Sequence, residues 1–267
     1  MRTLSLEYHD VVDPDRAGGF DSSGFAGPGP ASYKLTVADF GRHLEAIARR
    51  TSRPAGRVTD WIATPSGEMP LFFTFDDGGV SAHTYIAGML ERFGWRGHFF
   101  VTGGRIGTPT FMSPAQLREM RDRGHVIGSH SFTHPARMGG CSVAQLRDEW
   151  KRSVDVLCDV LQEPIQTASV PGGFYTRPVA ETASEAGIKV LFTSFPTVRT
   201  HQVHGCNVLG RYTIRRWSTP ETAAALAVGS MRPRAMQWAV ITALTAARHI
   251  GGDYYTALRN RIWARRG

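Results

Sequence analysis

The sequence predicts an α/β fold in which helices cover a largely parallel sheet. Apolar segments of strand length alternate with amphipathic segments of helix length, the pattern that helical crossovers between parallel strands produce. The 267 residues are 42% hydrophobic, which is enough for one main domain with a large core. A single α/β barrel of this length is common.

Four segments are predicted to be helices, and the first three carry a start signal, a polar residue followed by apolar residues at helical spacing. They are 36–50, with Thr36 at its N-cap, a helix that begins at Ser113-Pro114, 142–161, and 176–186. Ser142 and Gln145 form a capping-box pattern. Gly187 ends the last of these helices, because glycine readily adopts the left-handed conformation of a helix end.

Apolar runs bounded by turn residues predict short buried strands. They are Leu71 to Phe75, the segment that ends at Ser129 after a turn at Gly124, and Ile188 to Thr193. The glycine- and proline-rich segment from Gly18 to Pro30 is the clearest loop. It is either a flap over a substrate groove or an inert surface loop.

Two carboxylates, Asp76 and Asp77, directly follow the strand that ends at Phe75, and the pair Gly78-Gly79 comes next. Because neighbouring residues on a strand point to opposite faces, both carboxylates reach one cavity only where the chain leaves the strand. Different surroundings would then suit one carboxylate as a metal ligand and the other as a general base. Taken alone, the motif also fits an acidic turn.

Two histidines, His130 and His134, follow the strand that ends at Ser129. Their i, i+4 spacing predicts that both imidazoles lie on one face of a single helical turn, within reach of one cation. With one carboxylate they form a three-ligand site with a position open for water, which is typical of a catalytic zinc site. Pro135 indicates that this turn sits in a loop rather than in a continuing helix.

The two motifs together resemble a known family. Residues 74–78, Thr-Phe-Asp-Asp-Gly, and 130–134, His-Ser-Phe-Thr-His, are similar in order and spacing to the first two motifs of the NodB-type polysaccharide deacetylases, carbohydrate esterase family four. Residues 95–101 resemble the second strand of that family, and Leu6 to Val11 resembles its opening strand. The resemblance covers roughly residues 70–195. It implies a distorted (β/α) barrel of the polysaccharide deacetylase type, with the active site at the carboxyl ends of the strands.

Roles for four residues follow from the resemblance and from the chemistry of the side chains. Asp77, His130 and His134 are the expected metal ligands, and Asp76 is the expected catalytic base. One divalent ion is expected, zinc by default, with cobalt or nickel as alternatives for a mixed nitrogen and oxygen site.

The third family motif, an Arg-x-Pro sequence beside the metal, is only partly present, because Ser169 stands where the arginine is expected. The residues expected to face the substrate or the oxyanion are Pro171, Gly172, Gly173, Phe174 and Tyr175. A tight turn here would direct backbone N–H groups at the oxyanion, and the aromatic rings would stack on a sugar.

The fourth and fifth motifs depart further from the family. The fourth, a Trp/Asp pair, has no convincing match, and at the place of the fifth, Leu-x-His, stands Leu209-Gly210-Arg211. Arg211 is a candidate to replace the guanidinium that is absent at Ser169 and to orient the base. His201 and His204 are alternative general acids, although each is more readily explained as a surface histidine. The general acid is therefore not identified from the sequence.

Cysteine use and the N-terminal sequence favour a cytoplasmic protein. The three cysteines, Cys141, Cys158 and Cys206, cannot all pair and do not have the spacing of a metal motif, so free thiols in a reducing compartment are expected. No apolar signal region follows Met1, and no apolar run reaches the roughly 20 residues of a membrane span.

The net charge of +8 is concentrated in residues 231–267, which hold seven arginines and one aspartate. We expect a polysaccharide-deacetylase-like catalytic domain at 1–230 and a basic helical extension at 231–267. The almost uncharged run 235–244 predicts a helix, which either lies on anionic lipid headgroups at the inner face of the membrane or packs on the barrel. No nucleic-acid recognition motif accompanies the charge.

The predicted function is removal of N-acetyl groups from a saccharide, such as an exopolysaccharide or a lipid-linked precursor. Two alternatives stay open. One is an amidohydrolase that uses the same metal site on a small non-sugar amide, and the other is a non-catalytic saccharide-binding or scaffold protein that retains the fold. The enzyme is favoured because both carboxylates and both histidines are present together.

Overall fold

The structure is a computed structural model that describes residues 1–64 and 69–244. The strands are β1 (Leu4–Tyr8), β2 (Val11–Val12), β3 (Leu35–Thr36), β4 (Leu71–Phe75), β5 (Gly97–Val101), β6 (Val126–Ser129), β7 (Thr167–Ser169), β8 (Val190–Phe192), β9 (His201–Val203), β10 (Cys206–Leu209) and β11 (Tyr212–Thr213). The helices are α1 (Pro28–Ala31), α2 (Val37–Arg50), α3 (Val58–Ala63), α4 (Ala87–Glu91), α5 (Pro114–Asp122), α6 (Val143–Leu161), α7 (Arg177–Glu185) and α8 (Pro220–Ala227). Residues 231–244 are also helical.

One sheet with the strand order β11-β1-β4-β5-β6-β7-β8-β10-β9 forms the centre of the molecule. Its pairings are parallel, except that β9 runs antiparallel to β10 at one edge. Because the parallel strands run the same way, their carboxyl ends and the loops that follow them share one end of the sheet.

The connection between β10 and β11 shows that the sheet curls into a barrel. These strands lie near opposite ends of the hydrogen-bonded order, yet only Gly210 and Arg211 separate them in the sequence. A connection of this length spans at most about 11 Å, so the two edges of the sheet approach each other. Gly210 fits the narrow passage, because a Cβ there would lie 2.4 Å from the Phe195 carbonyl oxygen. The predicted distorted (β/α) barrel is confirmed.

The predicted helices are confirmed at their amino ends. Thr36 accepts a hydrogen bond from Asp39 N at the start of α2, and Ser113 and Ser142 form capping boxes at the starts of α5 and α6. These caps satisfy N–H groups that the first helical turn leaves unpaired. Gly187, with a φ of 93°, follows α7 as expected.

The core between sheet and helices fixes the strands that carry the acidic residues. Tyr8 of β1 stacks on Phe75 of β4 with 5.6 Å between ring centroids, and it packs edge-on against Phe40 of α2 at 5.4 Å. Trp150 of α6 is fully buried, and its Nε1 donates to the Val179 carbonyl oxygen of α7 at 3.1 Å. The aromatic packing holds β1 and β4 together up to their last residues.

Two predicted local conformations are wrong. Residues 130–134 do not form a helical turn, since Ser131 and His134 adopt φ angles of 61° and 60° in an irregular loop. Backbone amides of this loop donate to the side chains of Glu149 and Ser131, and these hydrogen bonds replace those that a helical turn would form. The segment 6–11 is divided into two strands, because β1 ends at Tyr8 and β2 begins at Val11.

Residues 231–244 pack on the barrel through one face of their helix. Arg234 Nε donates to the Tyr212 hydroxyl at 2.8 Å, and Gln237 Nε2 donates to the Thr213 carbonyl oxygen at 3.0 Å. Large apolar side chains elsewhere on this helix are exposed, namely Met231, Met236, Trp238 and Val240. The rest of the predicted basic extension, 245–267, lies outside the described residues, and the boundary after residue 230 stays a prediction. Within 1–64 and 69–244, no helix has the length and apolar character needed to span a membrane.

Candidate metal centre and active site

Asp76 and Asp77 lie where the chain turns sharply out of β4. Asp77 adopts a φ of 76° and Gly78 a φ of 87°, so the predicted departure from the strand begins at the second aspartate. Glycine is required at 78, because a Cβ there would lie 3.0 Å from the Val101 side chain in a conformation that other residues rarely adopt. Both carboxylates are buried, with 4% and 5% exposure.

The loop after β6 carries His130 and His134 and is held by side chains. Glu149 of α6 is buried and accepts hydrogen bonds of 2.9 and 2.8 Å from the amides of residues 132–133. The Ser131 hydroxyl accepts a bond of 3.1 Å from His134 N. These bonds stabilise the left-handed backbone of the loop, and the loop turns both imidazoles to one side.

Asp77, His130 and His134 converge on one point. Asp77 Oδ1 lies 3.5 Å from His130 Nε2 and 3.4 Å from His134 Nε2, and the three ligand atoms lie within 4.8 Å of one another. Two imidazole nitrogens and one carboxylate oxygen are the donor set of a catalytic zinc site, with positions left for water and substrate. The residues present therefore fit a divalent ion.

The protonation states of these three residues suit a ligand role. Burial lowers the pKa of His130 to about 4, so its imidazole is neutral near pH 7. Burial acts to raise the pKa of Asp77, but its hydrogen bond with His134 and nearby histidine charges outweigh this, and the pKa falls below its ordinary value. Burial acts to lower the pKa of His134, but the same bond to Asp77 raises it overall. A proton therefore competes with a metal ion at His134.

Asp76 lies beside this group and is paired with Arg211. Its two oxygens accept hydrogen bonds of 2.7 Å from Nη1 and Nη2 of Arg211, a bidentate pair. Ser169, at the end of β7, has its Oγ 3.1 Å from Asp76 Oδ1 and 2.6 Å from His130 Nδ1. Burial acts to raise the pKa of Asp76, but the Arg211 charge outweighs it and lowers the pKa, so the carboxylate is ionised.

Arg211 is fully buried, and we expect Arg211→Met to destabilise the fold strongly. Its guanidinium pairs with Asp76, and Nη2 also lies 3.7 Å from Glu7 Oε1. Loss of one partner leaves buried carboxylates without their counter-charge, which costs about 3–5 kcal/mol of unfolding free energy. Urea denaturation measures this change. Arg147→Met removes an exposed pair with Glu185 and should leave the urea midpoint unchanged. Equal losses of unfolding free energy in the two variants would contradict the importance of the buried pair.

His9 and Glu7 also lie at the site, although no motif in the sequence pointed to them. The register of β1 on β4 pairs Tyr8 with Phe75, so the next residues, His9 and Asp76, lie side by side at the carboxyl ends of the two strands. One ring nitrogen of His9 lies within 4.8 Å of carboxylate oxygens of Glu7 and Asp76. His9 Nδ1 is buried and has no hydrogen-bond partner in the described part of the chain. The sequence shows a histidine after an opening strand, but not that this strand lies next to β4.

The third motif forms a turn beside a cavity. Gly172 and Gly173 adopt φ angles of 62° and 69° and are exposed. A cavity of about 600 Å³ has Phe174 and Tyr175 in its wall, together with Pro135, the neighbour of His134. The predicted aromatic residues therefore face open space, whereas Asp77, His130 and His134 are not among the residues that line this cavity. The expected contact of backbone N–H groups in 171–175 with an oxyanion stays a prediction.

The two histidines considered as alternative acids have other neighbours. His201 Nε2 lies 3.2 Å from the Tyr175 hydroxyl, and His204 Nε2 lies 3.8 Å from Glu181 Oε1. Both histidines are exposed. The ionisable groups clustered around Asp76 and Asp77 in the described residues instead include His9, His130 and His134.

Comparison with known proteins decides the family. Residues 63–191 match the model of the family described as polysaccharide deacetylase. The matched segment contains the aspartate pair, both histidines and the turn at 171–173. Residues 63–191 belong to the polysaccharide deacetylase family. The family predicted from the first two motifs is thereby confirmed.

Two curated peptidoglycan deacetylases are each similar to about half of the chain. The chain is 30% identical over 123 residues to the peptidoglycan-N-acetylmuramic acid deacetylase PdaA of Bacillus subtilis, 46% of this chain and 42% of that protein. It is 27% identical over 150 residues to a peptidoglycan-N-acetylglucosamine deacetylase of Bacillus cereus, 56% of this chain and 67% of that protein. The chain thus spans about half the length of the curated relatives it matches.

Solved structures of deacetylases share the fold. The deacetylase PplD of Streptococcus pyogenes superposes with a TM-score of 0.68 at 17% identity, over 85% of this chain and 98% of that one. IcaB from Ammonifex degensii gives 0.68 at 20% identity, over 85% and 97%. At these identities the likeness shows the fold alone, and it agrees with the curled parallel sheet described above.

Proposed function

We propose that the protein is a metal-dependent hydrolase that removes N-acetyl groups from a saccharide. The observation that carries the proposal is the group of buried Asp77 and His130 and half-buried His134. Beside it lies a second carboxylate, Asp76, which is paired with Arg211. Two carboxylates in different surroundings can take different roles, one as ligand and one as base. The relatives named for deacetylation of peptidoglycan amino sugars support the substrate class.

Asp77, His130 and His134 would hold the divalent ion, zinc by preference, with cobalt or nickel as alternatives. When bound, the ion supplies Lewis-acid polarisation of the amide carbonyl and a lowered pKa of water. His130 is already oriented as a ligand. Its Nδ1 lies 3.1 Å from the Ser169 carbonyl oxygen, which only accepts, and 2.6 Å from Ser169 Oγ, whose own hydrogen is directed at Asp76. Both neighbours can accept from Nδ1, so we assign the hydrogen to Nδ1, which leaves the lone pair of Nε2 facing Asp77.

Asp76 is the proposed base that removes a proton from the attacking water. Arg211 holds both carboxylate oxygens, so the base is oriented before the substrate binds. In the family, the arginine of the third motif orients the base, and Ser169 occupies that position here. Arg211 thereby takes over the orienting role. The same pairing weakens Asp76 as a base, so the water that it deprotonates would need a lowered pKa, which a bound ion would supply.

His9 is the proposed proton donor to the leaving amine. It lies next to Asp76 through the pairing of β1 with β4, and its buried Nδ1 has no hydrogen-bond partner among the described residues. In the family, a histidine of the fifth motif takes this role, and residues 209–211 lack one. A histidine that approaches from β1 restores an acid beside the base without that motif.

We expect His9→Gln to slow hydrolysis of an N-acetyl saccharide about 100-fold and to leave hydrolysis of p-nitrophenyl acetate within about twofold. The reason is that an amine leaves only when protonated, whereas nitrophenolate leaves as an anion. Initial rates on both substrates, at matched zinc content, measure the difference. His204→Gln, at an exposed histidine, is the control. Equal losses on the two substrates would show that His9 is not the proton donor.

Acetate release from N-acetylglucosamine oligomers by the zinc-loaded protein tests the proposed function. Release by the wild type and not by Asp76→Asn is the expected result. Release from small non-sugar amides, without release from any oligomer, would favour the amidohydrolase. The scaffold protein would be favoured if the wild type forms no acetate and if Asp76→Asn binds saccharide as tightly as the wild type does.

Cellular location and the natural polymer are proposals that rest on the sequence. The free thiols of Cys141, Cys158 and Cys206 are compatible with the proposed cytoplasmic location. Contact of the basic C-terminal segment with anionic lipid would place the enzyme at the inner face of the membrane, near a lipid-linked precursor. An exopolysaccharide is the alternative substrate.

A further inference from the structure

The glycine-rich loop, residues 18–30, lies against the candidate metal centre. The Phe25 ring packs on the His134 imidazole with 4.8 Å between centroids, and on the Phe111 ring at 5.1 Å. The Arg105 guanidinium lies 5.5 Å from the centre of the Phe25 ring. The tip of the loop therefore contacts one of the expected ligands directly.

Lys34 holds this loop from inside the protein. Its side chain is 1% exposed, and Nζ donates to the carbonyl oxygens of Phe20 at 2.8 Å, Ser23 at 2.6 Å and Phe25 at 2.6 Å. An ammonium group has three hydrogens, and each has a backbone acceptor here. Burial of an ammonium is unfavourable unless such acceptors surround it. The buried charge and the loop conformation therefore depend on each other.

Further hydrogen bonds tie the loop to the segments that follow β1, β4 and β5. Ser23 Oγ donates to Asp10 Oδ1 at 2.6 Å and accepts from Ser81 N at 2.8 Å. Gly24 N donates to the Thr110 carbonyl oxygen at 2.9 Å, and Thr110 Oγ1 donates to the Gly24 carbonyl oxygen at 2.8 Å. The loop thus has fixed partners at the two residues that precede Phe25.

We propose that Lys34 is a positioning residue that holds residues 18–30 as a fixed wall of the metal site, so that Phe25 sets the orientation of the His134 ring. The inference rests on the proposed function for the identity of the site, whereas the order of the loop is measurable without it.

The three converging carbonyl groups explain why a lysine is present. Only three of the 31 basic residues of the chain are lysines. A tetrahedral ammonium directs its three donors towards three acceptors, whereas a guanidinium directs its donors within one plane. Lys34→Arg keeps the charge but loses this geometry, so we expect it to behave like Lys34→Met.

Amide hydrogen exchange and zinc titration test the inference. In Lys34→Met and Lys34→Arg we expect exchange at Gly24 to quicken about tenfold and the zinc dissociation constant to rise about tenfold, the scale of lost outer-sphere support. Phe25→Ala leaves the backbone acceptors of Lys34 in place. It should raise the zinc dissociation constant by a similar factor without faster exchange at Gly24.

Two control variants separate this role from a general loss of stability. Lys151→Met removes an exposed lysine, and Ile188→Ala opens a cavity at the amino end of β8, far from the loops that carry the ligands. Neither should change zinc affinity. Unchanged exchange and affinity in both Lys34 variants would overturn the inference, and so would an equal loss of zinc affinity in Ile188→Ala.

A failure of folding or of metal binding still gives a decision. If the Lys34 variants do not fold, wild-type zinc affinity in Phe25→Ala would overturn the role of the loop. If the wild type itself binds no zinc, the proposed metal centre fails. Faster exchange at Gly24 in the Lys34 variants would then still support the anchored loop, and unchanged exchange would overturn it.

Discussion

Asp77→Ala is expected to abolish both metal binding and acetate release. Asp77 Oδ1 lies within 3.5 Å of both ligand nitrogens, so the substitution removes one of three donors and the anionic one among them. Loss of an outer-sphere partner already costs about 10- to 100-fold in metal affinity, and loss of a donor should cost more. Equilibrium dialysis against zinc measures the affinity, and acetate release measures the activity.

Asp60→Ala is a matched control for Asp77→Ala. Asp60 is exposed and pairs with Arg57 on the surface of α3, so this variant should bind zinc and turn over substrate like the wild type. Circular dichroism of both variants checks that they are folded. Wild-type zinc affinity in folded Asp77→Ala would contradict the ligand role of this aspartate.

Asp76→Asn is expected to retain zinc and to lose about 10²- to 10⁴-fold in turnover, the usual contribution of a positioned base. Asparagine has nearly the shape of aspartate, and its carbonyl oxygen can still accept one hydrogen bond from Arg211. Its amide group cannot accept a proton from water at neutral pH. Steady-state rates at saturating zinc, together with the bound zinc content, separate the two effects.

The result for Asp76→Asn shows whether Asp76 acts as the base or as a metal ligand. The NH₂ group of the asparagine would face a donor of Arg211, where the carboxylate now accepts a bond of 2.7 Å. Because this contact can destabilise the fold, thermal unfolding must be measured in parallel. Wild-type turnover in the folded variant would remove Asp76 as the base. Loss of zinc would show instead that Asp76 is a ligand.

Local signals in the sequence were sufficient for much of the fold. Thr36, Ser113 and Ser142 cap helices through bonds to residues three positions on, so neighbouring residues alone determine where those helices begin. The aspartate pair and the two histidines follow strands whose apolar runs are evident, and strand ends of a parallel sheet share one edge. The expected ligands could therefore be named before their distances were known.

Contacts between residues distant in the sequence were not predictable in the same way. The place of His9 beside Asp76 depends on the pairing of β1 with β4, and the sequence does not state the order of strands. Arg211 reaches Asp76 because the sheet curls until β10 and β11 meet. The histidine spacing suggested a helical turn, but bonds to Glu149 of α6 give a left-handed loop that places the same imidazoles together.

The amount of zinc bound per chain after dialysis, in the wild type and in His130→Ala, tests the central claim most directly. This measurement does not depend on the identity of the sugar. The three-ligand site predicts about one ion per chain in the wild type and none in the variant. No tightly bound zinc, cobalt or nickel in the wild type, or equal amounts of metal in both proteins, would contradict the metal centre and the hydrolysis proposed for it.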